Sequence, residues 1–260
     1  SGTVVALGEN LKVPFTVGQK VHLRGPGTMA QYILVDCFAA WPIQGDLSLD
    51  QAAPHIVNPG TVVYMSNLAL EGGHKAAIHT AGSSALGRMF IRYFKEKGIK
   101  TINVVRKQEF VQELKNEGAD YVLNSQAAGF EEQLKEIAEK ENATLSFDAV
   151  AGDFTNKILT AQPAGSTCLV YGLLSGHNVN SISIMELFKK KRLGGLVVDS
   201  HIREYTEKGE LGKLFTELHE LLPTVFKSRI HKIFKLDDFQ DAFAEYKATS
   251  SVGKIVIKFN

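Results

Sequence analysis

The sequence predicts an α/β protein: a doubly wound parallel sheet accompanied by a smaller, β-rich part. Three observations predict it. Between Lys75 and Gly172, short apolar runs alternate with amphipathic segments of roughly ten residues, the pattern of a parallel sheet covered on both faces. A glycine-punctuated stretch, "HTAGSSALG", lies between the first of these runs and the first amphipathic segment. The two ends of the chain instead carry β-branched runs broken by glycine and proline.

Taken in order, Thr3 to Leu7, Lys20 to Leu23 and Met29 to Val35 read as strands, separated by Gly18, Gly25, Pro26 and Gly27. Ser48 with Gln51 forms a capping box and starts a helix. Asn58-Pro59 interrupts it, and "GTVVYMSNLAL" continues as a second helix. "KAAIHT" is a buried strand. Ser84 to Lys97 is a helix with Leu86, Met89, Phe90 and Tyr93 on one face, closed by Gly98. "KTINVV" is the next strand. Glu109 to Glu117 is a helix closed by Gly118, and "DYVLN" is a strand. Glu131 to Glu141 is a helix, "LSFDAV" a strand, Phe154 to Leu159 a helix and "STCLVYG" a strand. After Gly195 the alternation loosens. Leu211 to Leu222 forms an amphipathic helix and "RIHKIF" a strand. Asp237 with Gln240 caps a helix carrying Phe239, Ala242, Phe243 and Tyr246 on one face. "GKIVIKF" closes the chain as a strand.

The bulk numbers narrow the function classes. The 260 residues are 44% hydrophobic and 22% charged, ordinary for a globular protein, with a net charge of +1. That balance gives no reason to expect nucleic acid or a membrane surface as partner. The basic run Lys189 to Arg192 reads as a solvated helix end. No apolar run reaches the ~18 residues of a spanning helix. Cys37 and Cys168 form neither a disulfide framework nor a CxxC pair, and read as free thiols in a reducing compartment. The chain opens "SGTVVAL", without methionine or a targeting pattern, directly on a strand-like run. It reads as entering a fold midway, which leaves localisation open between cytoplasm and mitochondrial matrix.

The glycine stretch poses a choice of phosphate chemistry. An NTPase loop needs Lys and then Ser or Thr after its second glycine, to reach the phosphates and bind magnesium. Arg88 and the core-facing Met89 stand there instead. The dinucleotide pattern fits better: Gly82, Ser83, Ser84, Ala85, Leu86 and Gly87 spell GxGxxG with Ser84 at the middle glycine. The stretch follows a strand and opens a helix, whose unpaired N–H groups suit a pyrophosphate. Gly87 permits close helix–strand packing, whereas the Ser84 Cβ pushes phosphates away and its hydroxyl offers a hydrogen bond. The alternative is a small-residue turn needed only for packing. About 20 residues past Gly87, where an acid would take a ribose hydroxyl, the chain has Arg106 and Lys107. Two cations there suit a 2′-phosphate, and so NADPH over NADH. The alternative is an exposed arginine at a strand end.

The stretch "HTAGSSALGRMF" through "KTINVVRKQEFVQELKNEGADYVLNS" resembles the medium-chain dehydrogenases/reductases, in particular their zinc-independent quinone oxidoreductase and 2-enoyl thioester reductase branch. The likeness runs over essentially the whole chain, through "AAPHIVNPGTVVYM", "FDAVAGDFTNKILTAQPAGSTCLVYG" and "LDDFQDAFAEYKATSSVGKIVIKF". It implies a GroES-like domain over residues 1–55 lacking its first portion, a Rossmann NADPH-binding domain over 56–200, and a return to the first domain over 201–260. It also implies an active site in the cleft. Asn58 and Thr61 match positions lining the nicotinamide pocket. By the same resemblance Gly82 to Gly87 would hold the pyrophosphate, and Arg106 the 2′-phosphate. Gly152, Tyr171 and Gly172 match strand-end positions along the cofactor. Asn58 reads equally as a helix-breaking turn, and Tyr171 as core.

Zinc-dependent relatives carry a ligand near the linking helices, where this chain has Val57, and a four-cysteine lobe that it lacks. His22 and His55 remain, and no metal is expected. The absent ligands also argue against an alcohol dehydrogenase. The resemblance implies NADPH-dependent reduction of a small molecule, an electron-poor C=C or a quinone. In the enoyl reductase branch the proton donor is a tyrosine in the portion preceding Ser1. None of the seven tyrosines here lies in a matching motif, so no catalytic residue is assigned. The other reading is a catalytically quiet member, a structural or binding subunit of a larger assembly. The family pairs through the edge of its nucleotide-domain sheet, so "LGGLVVDS", Leu193 to Ser200, is the expected homodimer strand.

Overall fold

The computed structural model describes residues 1–249 and 251–259. Contacts divide the chain into Ser1–Asn58 with His219–Asn260, and Pro59–Leu218. The first unit opens with strands β1 (Gly2–Thr3), β2 (Lys20–Leu23) and β3 (Ala40–Pro42), an antiparallel sheet in the order β1-β2-β3. Val21 and Ala40 turn inward. A strand holds only where its backbone groups find a neighbour. Past Thr3 that neighbour is the Gly18–Gln19 backbone, bonded to Val4 at 2.8 and 2.9 Å. Met29 to Val35, expected as a strand, forms none, and Leu34 stands 98% exposed. Helix α1 (Leu49–Ala52) has the expected capping box, Ser48 Oγ accepting from Gln51 N–H at 3.2 Å and Gln51 Oε1 from Ser48 N–H at 3.1 Å.

The second unit carries the doubly wound sheet. Helix α2 (Val57–Glu71) precedes it, buried along Pro59, Thr61, Val62, Val63, Met65 and Ala69. Pro59 does not interrupt: it sits in the first turn, where a missing N–H costs nothing. There follow β4 (Ala76–His79), α3 (Ala85–Glu96), β5 (Lys100–Val105), α4 (Glu109–Asn116) and β6 (Tyr121–Asn124). The second half is α5 (Phe130–Lys140), β7 (Leu145–Asp148), α6 (Asp153–Ala161), β8 (Thr167–Val170), α7 (Ile184–Phe188), β9 (Arg192–Gly195), α8 (Val198–Glu207) and α9 (Leu211–Leu221). All strand pairs are parallel, in the order β6-β5-β4-β7-β8-β9. The winding reverses between β4 and β7, and in such sheets that switch point, at the carboxyl ends of the strands, is where ligands bind.

The α3 face is as its spacing predicts: Leu86, Met89, Phe90 and Tyr93 are buried, with Phe90 stacked on Phe94 at 3.8 Å. On a second cluster Phe130, Leu134, Ile158 and Leu159 pack against Ile78, Ile102 and Val104. The run Leu193 to Ser200 is strand only to Gly195. Its last ladder bond is Leu196 N–H to Val170 O at 2.9 Å, and from Val198 the chain turns helical. The boundary expected at residue 200 falls instead at Leu218. His201, Leu214 and Leu218 are buried, Tyr205 Oη accepts from Asn67 at 3.1 Å, and Glu217 accepts from Tyr93 Oη at 2.6 Å.

The chain then returns to the first unit through β10 (Ile230–Lys235), a 3-10 turn at Leu236–Asp238, α10 (Phe239–Thr249) and β11 (Lys254–Lys258), with β10 and β11 parallel. The 3-10 turn takes the place of the expected Asp237 cap. Of the expected α10 face only Ala242 is buried; Phe239, Phe243 and Tyr246 are exposed.

Candidate functional site

The turn from β4 into α3 is fixed by close backbone approach. Gly82 N–H donates to Val104 O on β5 at 2.8 Å. A Cβ on Gly82 would lie 3.0 Å from Asn103 Cβ, and one on Gly87 would lie 2.4 Å from Gly82 O. Helix α3 therefore starts directly on the turn. Ala81 holds φ +56°, a left-handed conformation costly for alanine. Ser84 is the N-cap, its Oγ accepting from Gly87 N–H at 3.0 Å while keeping its own proton to donate. Ala85 and Leu86 open the helix, so their N–H groups have no intrahelical acceptor and carry the positive end of its dipole. Ser83 O accepts from Arg88 Nε at 3.3 Å, and Arg88 is held in turn by Glu113 at 3.1 Å and by Glu117.

One strand over, Arg106 follows the last residue of β5. It is exposed and, among the described residues, has no ion pair. Lys107 is also exposed but sits 3.4 Å from Glu109 Oε1. The turn rests on Asn103 and Val104 of the same strand, so both cations lie at the carboxyl end beside it.

Across the switch point, Gly152 caps α6 at φ +63°, ψ −145°, a region open in practice only to glycine. A Cβ on Gly172 would fall 2.8 Å from Ala149 O. Tyr171 turns its hydroxyl inward, 2.7 Å from His79 Nε2, so its phenol is committed to the protein interior. Burial pushes that phenol above its usual range, with Asp148 adding to the effect. The structure thus gathers Gly82 to Gly87, Arg106, Lys107, Gly152, Tyr171 and Gly172 at the carboxyl ends of four neighbouring strands. Residues the sequence did not single out link the turns after β4 and β7: the Asp148 carboxylate accepts from Thr80 Oγ1 at 2.8 Å and from Thr155 Oγ1 at 2.6 Å. The one signal for Asp148 was a charged residue ending a short, strand-like run.

His79 makes this end of the sheet acid-sensitive. Complete burial lowers its pKa from 6.5 to about 3. The folded protein refuses a proton that the unfolded chain accepts, so this contribution is intact above pH 6.5 and is lost as the pH falls toward 3. The loss runs at up to about 1.4 kcal/mol per pH unit. His22 and His55, each lowered to about 4 with burial the main cause, add to the same slope. Urea midpoints are expected to drop as the pH falls from 6.5 toward 4, less steeply in His79→Gln.

Thr61 lies buried on α2. Asn58 belongs to the first unit, where it lines a cavity of about 320 Å³ with His22, Arg24 and Lys254. Among the described residues no three His, Cys, Asp or Glu side chains are placed to hold a metal ion, and no helix is long and apolar enough to cross a membrane.

A family profile described as zinc-binding dehydrogenase matches residues 85–211. Prostaglandin reductase 1 of Bos taurus is 28% identical over 233 residues, 85% of this chain and 68% of that protein. The mitochondrial enoyl-acyl-carrier-protein reductase of Caenorhabditis elegans is 30% identical over 202 residues, 75% of this chain and 57% of that protein. The chain spans only part of either relative. A proposed NADPH:quinone reductase from Mesorhizobium loti superposes with a TM-score of 0.79 at 28% identity, over 93% of this chain and 71% of that one.

Proposed function

We propose, for a chain that belongs to the zinc-independent quinone and enoyl reductase branch of the medium-chain dehydrogenase/reductase family, an NADPH-dependent reductase of electron-poor C=C bonds or quinones. The observation that carries it is the turn at Gly82–Gly87: its backbone approaches are too close for any Cβ on Gly87, and it aims unpaired N–H groups out of α3. That cradle fits a diphosphate, since a helix N-terminus offers both donors and partial charge. Arg106, exposed and without an ion pair among the described residues, would take the 2′-phosphate through two parallel hydrogen bonds. Lys107 would add charge. Gly152 and Gly172 would let the cofactor lie against the strand ends, and Asn58 and Thr61 would line the nicotinamide pocket. Tyr171 would support them from beneath, through its bond to His79. When bound, NADPH supplies the hydride; the protein's part is to hold, orient and dry it.

Full-length protein is expected to oxidise NADPH in the presence of a naphthoquinone or an enoyl thioester, followed by the loss of nicotinamide absorbance. Tight NADPH binding without turnover of either class would instead support a quiet binding subunit. Among the described residues β9 pairs only with β8; its Leu193, Val197 just past it, and Ile184, Met185 and Phe188 of α7 are exposed. An open edge flanked by apolar side chains fits strand-to-strand pairing with a second copy. Sedimentation at twice the chain mass is expected, and a Leu193→Lys, Val197→Glu double variant should run as a monomer. The two free thiols fit a reducing compartment, cytoplasm or mitochondrial matrix.

A further inference from the structure

Asp148 ends β7, is fully buried and, among the described residues, faces no cation within ion-pair distance. Its charge is met by four neutral donors instead. Oδ1 accepts from Thr80 Oγ1 and from Val150 N–H, both at 2.8 Å. Oδ2 accepts from Thr155 Oγ1 at 2.6 Å and from Ala151 N–H at 3.2 Å. Thr80 Oγ1 also accepts from Ala149 N–H at 2.7 Å, closing a ring between the strand ends. The donors come from both sides of the switch point: Thr80 opens the turn into α3, and the others belong to the turn into α6 and that helix itself. Each turn contains an alanine in the left-handed region, Ala81 at φ +56° and Ala151 at φ +61°. Such conformations persist only where the surroundings over-determine them.

We propose that Asp148 is a positioning residue that ties the two turns together and keeps the Gly82–Gly87 turn in its binding-ready shape. The tie is read from ligand-free geometry; that the ligand is NADPH rests on the reductase reading above.

Asp148→Asn preserves size but not acceptance. Each carboxylate oxygen serves one hydroxyl and one backbone N–H, so either orientation of the amide turns its NH2 toward a backbone N–H that can only donate. One turn is thereby released, the binding-competent fraction falls, and apparent affinity falls with it. Three results are expected in Asp148→Asn. The NADPH Kd rises about tenfold or more. Hydrogen exchange in the ligand-free protein accelerates selectively at Gly82, Ser84 and Ala149 to Ala151, relative to the β5 amides. Adding Ala151→Gly, which takes positive φ without strain, recovers most of the lost affinity. Thr155→Val, which removes one donor and keeps the side chain's shape, should give the same selective exchange with a smaller rise in Kd, about threefold. It decides the matter if Asp148→Asn does not fold. Unchanged exchange and affinity would overturn the proposal. So would uniform acceleration across the sheet without rescue by glycine, the mark of a merely structural role. Failure of the wild type to bind NADPH would sink the reductase reading, while the exchange measurement would still decide the tie.

Discussion

Replacing Gly87 by alanine should abolish measurable NADPH binding while leaving a folded protein. The added Cβ would stand 2.4 Å from Gly82 O, 2.7 Å from Gly82 C and 2.8 Å from Ala81 O. All three are backbone atoms of the turn and cannot swing aside as a side-chain end would. Helix α3 must back away, at an overpacking cost of about 1–3 kcal/mol. Alanine's better helix propensity offsets at most about 1 kcal/mol of that. The domain's core elsewhere is untouched, so folding survives with a lowered melting temperature. Binding does not, because the N–H groups of Ala85 and Leu86 move with the helix. Each hydrogen bond to a charged group is worth about 1.5–3 kcal/mol, so losing two corresponds to at least about a hundredfold in Kd. Calorimetric titration checks it. Gly212→Ala is the control: nothing lies within 4 Å of its Cβ position and its φ is ordinary, so binding should stay at the wild-type level.

Arg106→Ala is expected to separate the two nicotinamide cofactors. The side chain is exposed and unpaired among the described residues, so its removal orphans nothing and should change stability by no more than about 0.5 kcal/mol. What it removes is one charge-assisted contact to the 2′-phosphate, about 1.5–3 kcal/mol, or roughly ten- to a hundredfold in NADPH affinity. NADH has no such phosphate and should bind wild type and variant alike. Ligand binding raises thermal stability by mass action. At matched concentration NADPH should therefore raise the melting temperature of the wild type more than that of Arg106→Ala, with equal shifts for NADH. Arg106→Lys should fall between, since an ammonium cannot grip phosphate in two parallel bonds. Lys107→Ala should matter less, because Glu109 already engages that charge at 3.4 Å.

Local chemistry is where the sequence was most legible. The Ser48 and Gln51 cap, the buried face of α3 and the glycines of the turn follow from spacing and sterics within a few residues, and each stands where its pattern places it. Long-range effects were not legible. Val197 and Val198 favour a strand by propensity, yet the chain turns helical there. His201 stacks on Tyr64 at 4.3 Å and Tyr205 bonds Asn67, and this packing on α2 outweighs local preference. The run Met29 to Val35 has strand composition, yet it stays irregular with Leu34 fully exposed. The tie at Asp148 joins residues 68 positions apart, and only the sheet order brings them together. Tyr171, read from the sequence as either core or cofactor contact, has its hydroxyl bonded to His79, which no local pattern anticipates.

The proposed reductase requires that the α3 turn and Arg106 together form an NADPH site. Titrating the wild-type chain with NADPH and NADH in parallel, by the rise in nicotinamide fluorescence on burial, tests it most directly. Saturable binding of both is expected, with NADPH tighter by about tenfold or more. Equal affinities would remove Arg106 from the site, and no binding of either would rule out the proposed reductase.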